Sequence, residues 1–449
     1  MKNLIRTVLT LTLLSVLWAC ENFLDEKPDK ALVTISTLDD MQGLLDNNTQ
    51  AMNSETYFKL IRSDEFEADP SLLRSVQPWI REVYLWAEEP FGQDEIAMDW
   101  SRQYLQIMNT NIILEEIEKV SPVNQAEELR KNAIRASAHF FRGLAYFNLA
   151  QVFAQAYVPG GDNSSLSFPL RTVADPNAHF ERATVQEVYE FIIEDLELSL
   201  EGLPDNVIYP TRPNLSSGHA LLARIYLSMG MYEEAGKYSE LVLVKNSSLT
   251  NFNSLVLTGT NPFQRFNEET IFFSNFYFAS FLSSQLLKVS DSFANLFSEE
   301  DLRKSAFFRQ NPGGWYVFIG HYTADEEFFS GITTPEMILI SAEVAARKGE
   351  FPKAKSLLQQ LAENRFAPEN LPGINEMPEE VVLEYVLDER KRELFGRGLR
   401  WSDIRRLNQE IDFAVVLERS FEEERVVIQP GDARYTLDIP PREKRLEGF

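Results

Sequence analysis

The sequence has few of the residues from which covalent and metal cross-links are made. Its 449 residues include one cysteine, Cys20, and four histidines, His139, His179, His219 and His321, which do not cluster along the chain. A lone cysteine forms neither an internal disulfide nor a multi-cysteine metal site, so the core alone must hold the fold together. His139 stands beside two phenylalanines in a helical pattern, which favours a packing role. We therefore predict no metal site built from these residues.

Familiar catalytic motifs are also missing. The sequence contains no G-x-S-x-G, H-E-x-x-H, Walker-type or G-x-G-x-x-G pattern, which are signatures of hydrolases, zinc proteases and nucleotide-binding proteins. With 68 Asp plus Glu, some carboxylate pair will fall at the separation that glycosidases use, whatever the function is. We therefore predict neither an enzyme nor a bound cofactor. A calcium site made by acidic loop residues stays open as an alternative.

The chain has far fewer positively than negatively charged residues. Lys plus Arg total 43 against 68 Asp plus Glu, which gives a net charge of -25. A chain this acidic repels phosphate backbones, so nucleic acid is not a predicted partner. Apolar residues make up 44% of the chain and aromatic residues 12%, which is enough for a sizeable core and does not indicate disorder.

The first residues of the chain hold its one long apolar run. Lys2 and Arg6 precede residues 7–19, a run with the length of a secretory signal and too short to span a bilayer. Cys20 follows at once, in a context that resembles a bacterial lipoprotein signal, although Trp18 stands where a small residue is usual. We predict a signal peptide at 1–19, lipidation at Cys20 and a lipidated tether at 20–35. An inert thiol in a leader peptide is the alternative.

Helical periodicity dominates the chain from residue 36 onward. Apolar residues recur at helical spacing over 100–117 and 129–153, and Thr184 with Glu187 forms a capping box before another apolar helix. Around Gly230 and again around Gly349 the spacing is typical of a tetratricopeptide repeat, in which a glycine opens the turn between two antiparallel helices. The two turns are 119 residues apart, which argues against a plain tandem array. The predicted fold is mainly α.

Two stretches interrupt the helical pattern and carry aromatic residues suited to ligand binding. One is residues 64–91, which we interpret as a loop region, and the other is residues 246–332, a loop-rich excursion with short strands. Flat aromatic faces together with polar side chains suit the binding of a small molecule. Packing between loops and scaffold is the alternative role for each residue. The ligand-binding candidates are Trp79, Tyr84, Trp86, Trp315, Tyr316, Asp64 and Asn311.

The stretch 388–408 concentrates charge around the rings of Phe395 and Trp401. Arginine forks could pair with carboxylates there and stack on the rings, or the stretch could be a solvated charge run, and the sequence leaves both readings open. The charged residues are Glu389, Arg390, Arg392, Glu393, Arg400, Asp403, Arg405 and Arg406.

The same stretch resembles a known family. Its order of Glu-Arg-Lys-Arg-Glu-Leu, then Gly, then Leu-Arg-Trp-Ser-Asp-Ile-Arg-Arg is similar to the C-terminal signature of the SusD/RagB family, surface nutrient-binding lipoproteins of Gram-negative bacteria. Phe168-Pro-Leu-Arg171 and the closing Tyr435-Thr-Leu-Asp-Ile-Pro-Pro-Arg-Glu also resemble family segments, with Asp438 where a proline is more usual. The matches run in the family's order from Cys20 to the C-terminus.

The resemblance implies an architecture and a function. It implies a single α-helical domain over 36–449, built of four tetratricopeptide-like helix pairs with loop decoration and anchored outside the outer membrane. It implies a partner, a SusC-like TonB-dependent β-barrel transporter, to which the lipoprotein delivers an oligosaccharide or, in some members, a peptide. The residues that contact the ligand do not transfer by motif. A helical-repeat scaffold that binds a polypeptide is the second hypothesis, and a hydrolase is the third.

Overall fold

The computed structural model describes residues 35–257, 261–277, 279–283 and 285–449. Cys20, the predicted signal peptide at 1–19 and nearly all of the predicted tether lie outside the described residues. Helices make up most of the regular structure, so the prediction of a mainly α fold is confirmed. The α-helices are α1 (Leu38–Leu45), α2 (Phe58–Ile61), α3 (Pro70–Ser75), α4 (Pro78–Tyr84), α5 (Met98–Ile117), α6 (Gln125–Phe153), α7 (Val185–Leu200), α8 (Leu215–Ser228), α9 (Tyr232–Leu243), α10 (Asp291–Ala294), α11 (Leu302–Phe307), α12 (Thr334–Arg347), α13 (Phe351–Ala362), α14 (Val382–Glu393), α15 (Arg400–Leu407) and α16 (Pro441–Glu447).

The strands are short, and each pairs with one partner. They are β1 (Ser54–Glu55), β2 (Phe66–Ala68), β3 (Leu166–Pro169), β4 (Arg182–Thr184), β5 (Thr270–Phe272), β6 (Asn275–Phe276), β7 (Leu287–Val289), β8 (Phe308–Gln310), β9 (Tyr316–Phe318), β10 (Ile332–Thr333), β11 (Leu417–Phe421) and β12 (Glu424–Ile428). Parallel pairing of β1 with β6 and antiparallel pairing of β2 with β7 attach the excursion to the N-terminal part of the chain. The hairpin β8–β9 pairs Phe308 with Phe318 and Gln310 with Tyr316.

Helix α6 lies at the centre of the core. From Phe140 to Phe153 every residue is buried, as expected of a helix that is covered on all sides. It packs against α5 on one side and α7 on the other. Small residues permit this close approach: a methyl group added at Gly143 would come within 3.2 Å of two atoms of Leu196 on α7. Cap residues fix the starts of α6 and α7, since Asn124 accepts from the amide of Glu127 and Thr184 forms its predicted capping box.

Two helical hairpins stack on each other although the chain separates them widely. In α8–α9 and α12–α13, glycines with positive φ, Gly230 at +71° and Gly349 at +75°, make the turns that the sequence predicts. Helix α9 packs against α12. Ser239 and Ser341 hydrogen bond across this contact at 2.7 Å between their hydroxyl oxygens. Repeats that are distant in sequence are thus neighbours in space.

The region 64–91, predicted as a loop, contains the short helices α3 and α4. Both begin with proline at the first helical position, where its fixed φ suits a helix and its missing N–H costs nothing. The Asp69 side chain also accepts from the amide of Ser71 at the start of α3. The prolines therefore start helices here, and the interpretation of this region as a loop is wrong.

The charged stretch 388–408 is buried, so its interpretation as a solvated charge run is wrong. The Arg303 guanidinium lies 2.5 Å from a carboxylate oxygen of Glu389 and 3.0 Å from one of Glu393. Arg365 joins Glu393 to Glu269, each at 2.7 Å. Burial alone would raise the pKa of Glu389, but the charges of Arg303 and Arg392 lower it to about 2. Paired charges therefore form part of the interior.

No helix within the described ranges combines the length and apolar character needed to cross a membrane.

Candidate functional site

Two of the predicted ligand-binding residues lie in the core. Tyr84 and Trp86 are 2% and 1% exposed, and the guanidinium of Arg419 stacks 3.6 Å and 4.3 Å from their ring centroids. The Trp86 indole donates to the carbonyl of Arg62 at 3.0 Å, and the Tyr84 hydroxyl accepts from the amide of Ala68 at 2.9 Å. These faces and polar atoms already contact protein, so we place no ligand on them.

The other two candidates from residues 64–91 also have protein partners. Asp64 pairs through both oxygens with Arg400, at 2.8 Å for each contact. Arg400 outweighs the effect of burial and lowers the pKa of Asp64. Trp79 is half-buried on α4, where its ring lies 5.9 Å from Phe58 and 6.2 Å from Phe91 between centroids. Part of its surface stays accessible.

The candidates in the excursion come together on one hairpin. Asn311, Trp315 and Tyr316 lie at the turn between β8 and β9, where the Asn311 side-chain oxygen accepts from the amide of Gly313 at 2.9 Å. The Asn311 amide and the Trp315 indole both donate to the carbonyl of Gln285, at 3.2 Å and 3.1 Å. These two hydrogen bonds hold the turn against the segment before β7.

The Trp315 ring is fixed and half-buried. The ammonium group of Lys288 lies 4.5 Å from the ring centroid, a cation–π contact that occupies part of the indole surface. Tyr316, also half-buried, is tilted against Phe308 with 6.1 Å between centroids. The indole is therefore presented in a defined orientation at the edge of the excursion.

A cavity of about 230 Å³ opens beside this hairpin; we call it the excursion cavity. Gln285, which accepts the hydrogen bond from the Trp315 indole, lines its wall. The other lining residues include aromatic or aliphatic groups and polar groups. They are Phe66, Asn261, Leu282, Ser283, Leu287, Arg309, Val317, Phe318, Ile319, His321, Glu326 and Phe328. This combination of apolar walls with several polar groups is typical of a small-molecule site.

His321 is a buried residue of the cavity lining. The imidazole is 6% exposed and lies 4.8 Å, between centroids, from each of Phe318 and Phe328. Burial, followed by the charge of Arg397, lowers the pKa of His321 to about 4, so the ring is neutral near pH 7. Its Nδ1 atom has no hydrogen-bond partner among the described residues. Sequence reasoning set His321 aside because nothing adjacent to it in the chain signals this environment.

Metal chemistry receives no support from geometry in the part of the chain that the structure describes. No three His, Cys, Asp or Glu side chains come together there in an arrangement that could hold an ion.

Comparisons with known proteins give the same assignment along both halves of the chain. The SusD-like family described as "Starch-binding associating with outer membrane" matches residues 22–227, and the SusD family matches residues 334–434. Residues 228–333, which supply most of the excursion cavity, fall between the two matches. SusD-like protein P2 of Formosa agariphila is 28% identical over 148 residues, which are 33% of this chain and 27% of that protein. The match thus spans about a quarter of that relative.

Crystal structures with the same fold cover nearly the whole chain. A SusD superfamily protein from Bacteroides thetaiotaomicron has a TM-score of 0.73 at 23% identity, with 92% of this chain and 98% of that chain covered. A SusD superfamily protein from Bacteroides vulgatus has a TM-score of 0.74 at 19% identity with the same coverage. A SusD-like carbohydrate binding protein from Bacteroides vulgatus has a TM-score of 0.69 at 17% identity, covering 92% and 97%. At these identities the structures show the fold. The two family matches, which follow one another along the chain, show that it belongs to the SusD/RagB family.

Proposed function

We propose that this protein is a surface lipoprotein that captures a nutrient, in the first place an oligosaccharide, and hands it to a SusC-like TonB-dependent outer-membrane transporter. Membership of the SusD/RagB family supports the capture role, because the family is described as starch-binding and associated with the outer membrane. One solved relative is described as a carbohydrate binding protein. The lipid on Cys20, the outward orientation and the barrel partner are parts of the proposal.

The observation that carries the proposal is the placement of Trp315. Trp86, Trp100 and Trp401 are buried, at 1%, 3% and 0% exposure, whereas Trp315 is half-buried and hydrogen bonded to Gln285 on the wall of the excursion cavity. An indole held in this way suits the C–H face of a sugar ring, because the hydrogen bond fixes the ring before the ligand arrives. We propose that the ligand contacts Trp315 and enters the cavity beside it.

The neutral polar groups of the cavity suit the hydroxyl groups of a sugar. Gln285, Asn261 and Ser283 offer neutral donors and acceptors, beside the charged side chains of Arg309 and Glu326. Such groups replace the water that a sugar hydroxyl loses on binding, which is where specificity arises. This supports the binding of a sugar as the proposed activity.

In this proposal, the residues of the excursion determine which ligand binds. Residues 228–333 lie outside both family matches, so the relatives do not supply contact residues for this part of the chain. The experiment is therefore a calorimetric screen of the purified protein against panels of oligosaccharides and peptides, with Trp315→Ala and Trp79→Ala variants compared in parallel. Trp79 is the matched control because it is a second half-buried tryptophan, held by Phe58 and Phe91.

We expect an oligosaccharide to bind and Trp315→Ala to weaken its affinity about tenfold or more, which corresponds to ~1.4 kcal/mol. Trp79→Ala should leave the affinity within about twofold. If a saccharide binds Trp315→Ala with the same affinity as the wild type, the ligand site does not lie in the excursion. Binding of peptides alone would replace oligosaccharide capture with peptide uptake or scaffolding. Released reducing ends during incubation would instead indicate a hydrolase.

A further inference from the structure

A second cavity, of about 280 Å³, lies between the C-terminal helix α16, helix α5 and residues 171–176. We call it the α16 cavity. It shares no lining residue with the excursion cavity, and its volume is close to the lower end of the ~300–1,000 Å³ that is usual for ligand sites. Its lining includes Tyr104, Met108, Arg171, Arg442, Glu443 and Glu447.

The α5 side of the cavity presents an aromatic ring that is held in place. Tyr104 and Met108 lie one turn apart on α5, and both are half-buried. The Tyr104 hydroxyl donates to the carbonyl of Pro169 at 2.8 Å, and its ring lies 4.8 Å from that of Trp100 between centroids. Part of this fixed ring therefore stays accessible, which suits the C–H face of a sugar.

Ion pairs hold α16 over the other side of the cavity. The Nε atom of Arg171 donates to a carboxylate oxygen of Glu447 at 3.1 Å. Arg445 donates to the carbonyl of Gln93 and contacts the carboxylate of Asp94, each at 2.7 Å. The wall formed by α16 is therefore in place before a ligand arrives, which lowers the entropy that binding must cost.

Arg442 and Glu443 are the charged lining residues whose side chains stay available. They are 37% and 16% exposed, and their closest contact, from Nη1 to Oε1, is 3.9 Å, which is longer than a hydrogen bond. Neither side chain forms a hydrogen bond within the described residues. The donors of the guanidinium and the acceptors of the carboxylate are therefore both free to contact a ligand.

The charges of the lining indicate the class of that ligand. Two arginines and two glutamates line the cavity, so it favours neither an anion nor a cation. One hydroxyl group can accept from Arg442 and donate to Glu443 across the 3.9 Å between them. An ammonium group only donates and a carboxylate only accepts, so neither can bridge the two side chains in this way.

We propose that the α16 cavity is a second saccharide site, in which a sugar ring packs on Tyr104 and its hydroxyl groups contact Arg442 and Glu443. The site is separate from Trp315. Binding there does not require that the excursion cavity bind a ligand, so the inference does not depend on the capture proposal.

The test is calorimetric titration of the wild type and of Trp315→Ala, which lacks the contact proposed for the excursion. The probes are glucose, galactose, xylose, maltose and cellobiose, with glycine and leucine as zwitterions. We expect at least one saccharide to bind both proteins. In the Trp315→Ala background, Arg442→Ala and Glu443→Ala should each weaken this binding about tenfold, because each removes hydrogen bonds to a charged group.

The matched control is Lys444→Ala in the same background. Lys444 is the next residue of α16, pairs with Asp438 and does not line the cavity, so its loss should leave the affinity within about twofold. Unchanged far-UV circular dichroism in all three variants would show that α16 and the fold are intact.

Saccharide binding to the wild type but not to Trp315→Ala would overturn this inference and leave the capture proposal standing. The inference also fails if no probe saccharide binds either protein, or if Arg442→Ala and Glu443→Ala bind as their parent does. Binding of leucine or glycine alone would replace the saccharide with a zwitterion. Equal saccharide affinities in the wild type and Trp315→Ala, with a tenfold loss in Glu443→Ala, would instead support the α16 cavity and count against the excursion site.

Discussion

Two kinds of environment occur among the buried arginines of the described residues. Arg406 is typical of the first, since two of its nitrogens contact both oxygens of Glu343 at 2.6 Å and 2.8 Å, and its Nε contacts Asp403. Arg405, the next residue back along α15, is typical of the second and binds only backbone carbonyls within the described residues. The first class repays desolvation with ion pairs, while the second relies on helix dipoles. A one-residue step along a helix therefore separates a neutralised charge from an unneutralised one.

Glu65 is a buried acid that has no counter-ion in contact among the described residues. It is 1% exposed, and its oxygens accept from the Gly396 amide at 2.8 Å and lie 3.0 Å from the Ser63 hydroxyl. Burial, and to a smaller extent the neighbouring Asp64 carboxylate, raises the pKa of Glu65 to about 8. The single Ser63 hydroxyl proton can be donated to Glu65 or to the carbonyl of Leu60, which lies 2.9 Å away. When it goes to Leu60, the hydroxyl oxygen can accept from a protonated Glu65.

The raised pKa fixes the sign of a pH dependence. Between the unfolded value of 4.5 and the folded value of about 8, the folded state holds a proton that the unfolded state has lost. Stability from this group is therefore complete below about pH 4.5 and falls as pH rises, by about 1.4 kcal/mol per pH unit. Glu65→Gln keeps the shape and both hydrogen bonds without titrating. The difference in unfolding free energy between Glu65→Gln and the wild type should grow in the variant's favour from pH 5 to pH 8.

Denaturant unfolding at several pH values measures this difference. In the difference between variant and wild type, the contributions of the other titrating groups to the unfolding free energy cancel. These groups include Glu343 and Asp403, whose pKa values are lowered because nearby arginines outweigh their burial. Those groups act with the opposite sign, since their stabilisation is lost as pH falls. A constant difference between variant and wild type across this range would mean that Glu65 is ionised in the folded state.

The sequence identified the residue types in this interior, but it could not identify their partners. Trp401, one of the two rings in the charged stretch, is 0% exposed. The charged stretch around it was left open because its partners are remote: Arg303 lies 90 residues from Glu393, and Asp64 lies 336 residues from Arg400. Local patterns cannot distinguish a solvated arginine from a buried one when the carboxylate comes from another part of the chain.

Elements with strong local signals were predicted well. The helices expected over 100–117 and 129–153 are present as Met98–Ile117 and Gln125–Phe153, and their starts differ by two and four residues. The capping box at Thr184 and the glycine turns within both hairpins are also as predicted. The periodicity could not predict that α9 packs on α12, because that contact joins helices about a hundred residues apart.

Gly236 tests this stacking at the level of the element. It lies in α9, and a methyl group there would meet the Val344 side chain of α12 at 2.8 Å, closer than van der Waals contact. A β-branched side chain is stiff and does not turn away easily. Gly236→Ala gains about 1 kcal/mol of helix propensity but overpacks the contact by ~1–3 kcal/mol. We expect a net loss of about 1 kcal/mol in unfolding free energy, seen as a lower melting temperature.

The matched control is Gly43→Ala in α1. A methyl group at Gly43 meets nothing within 4 Å, so the substitution should raise stability by about 0.5–1 kcal/mol through propensity alone. If Gly236→Ala lowers the unfolding free energy and Gly43→Ala raises it, the contact between the two hairpins is the cause of the loss. If Gly236→Ala stabilised the protein as Gly43→Ala does, the two hairpins would not pack as closely as described.

At the scale of the whole molecule, the candidate site is assembled from segments that no local pattern links. The sequence selected Asn311, Trp315 and Tyr316 by residue type, and they do share one hairpin. Their partners Gln285 and Lys288 precede them by more than 20 residues, and no sequence pattern marks either of them as a partner. The strand pairs β1–β6 and β2–β7 join this excursion to residues 54–68, which brings Phe66 into the cavity. The architecture was predictable from periodicity and resemblance, whereas the site required the tertiary pairing.

Attachment to the membrane is the last property to test on the whole molecule. Lys2, Arg6 and the apolar run 7–19 direct export in our proposal, and Cys20 carries the lipid. Each buried methylene contributes about 0.8 kcal/mol, so two or more acyl chains on one cysteine hold a protein on the bilayer almost permanently. Cys20→Ala should therefore move the protein from the membrane fraction to the soluble fraction. Glu21→Gln, a change beside the same position, should remain with the membrane. Labelling with radioactive palmitate should mark the wild type and Glu21→Gln but leave Cys20→Ala unlabelled. If the wild type is unlabelled, or if Cys20→Ala still sediments with membranes, another contact provides the anchor.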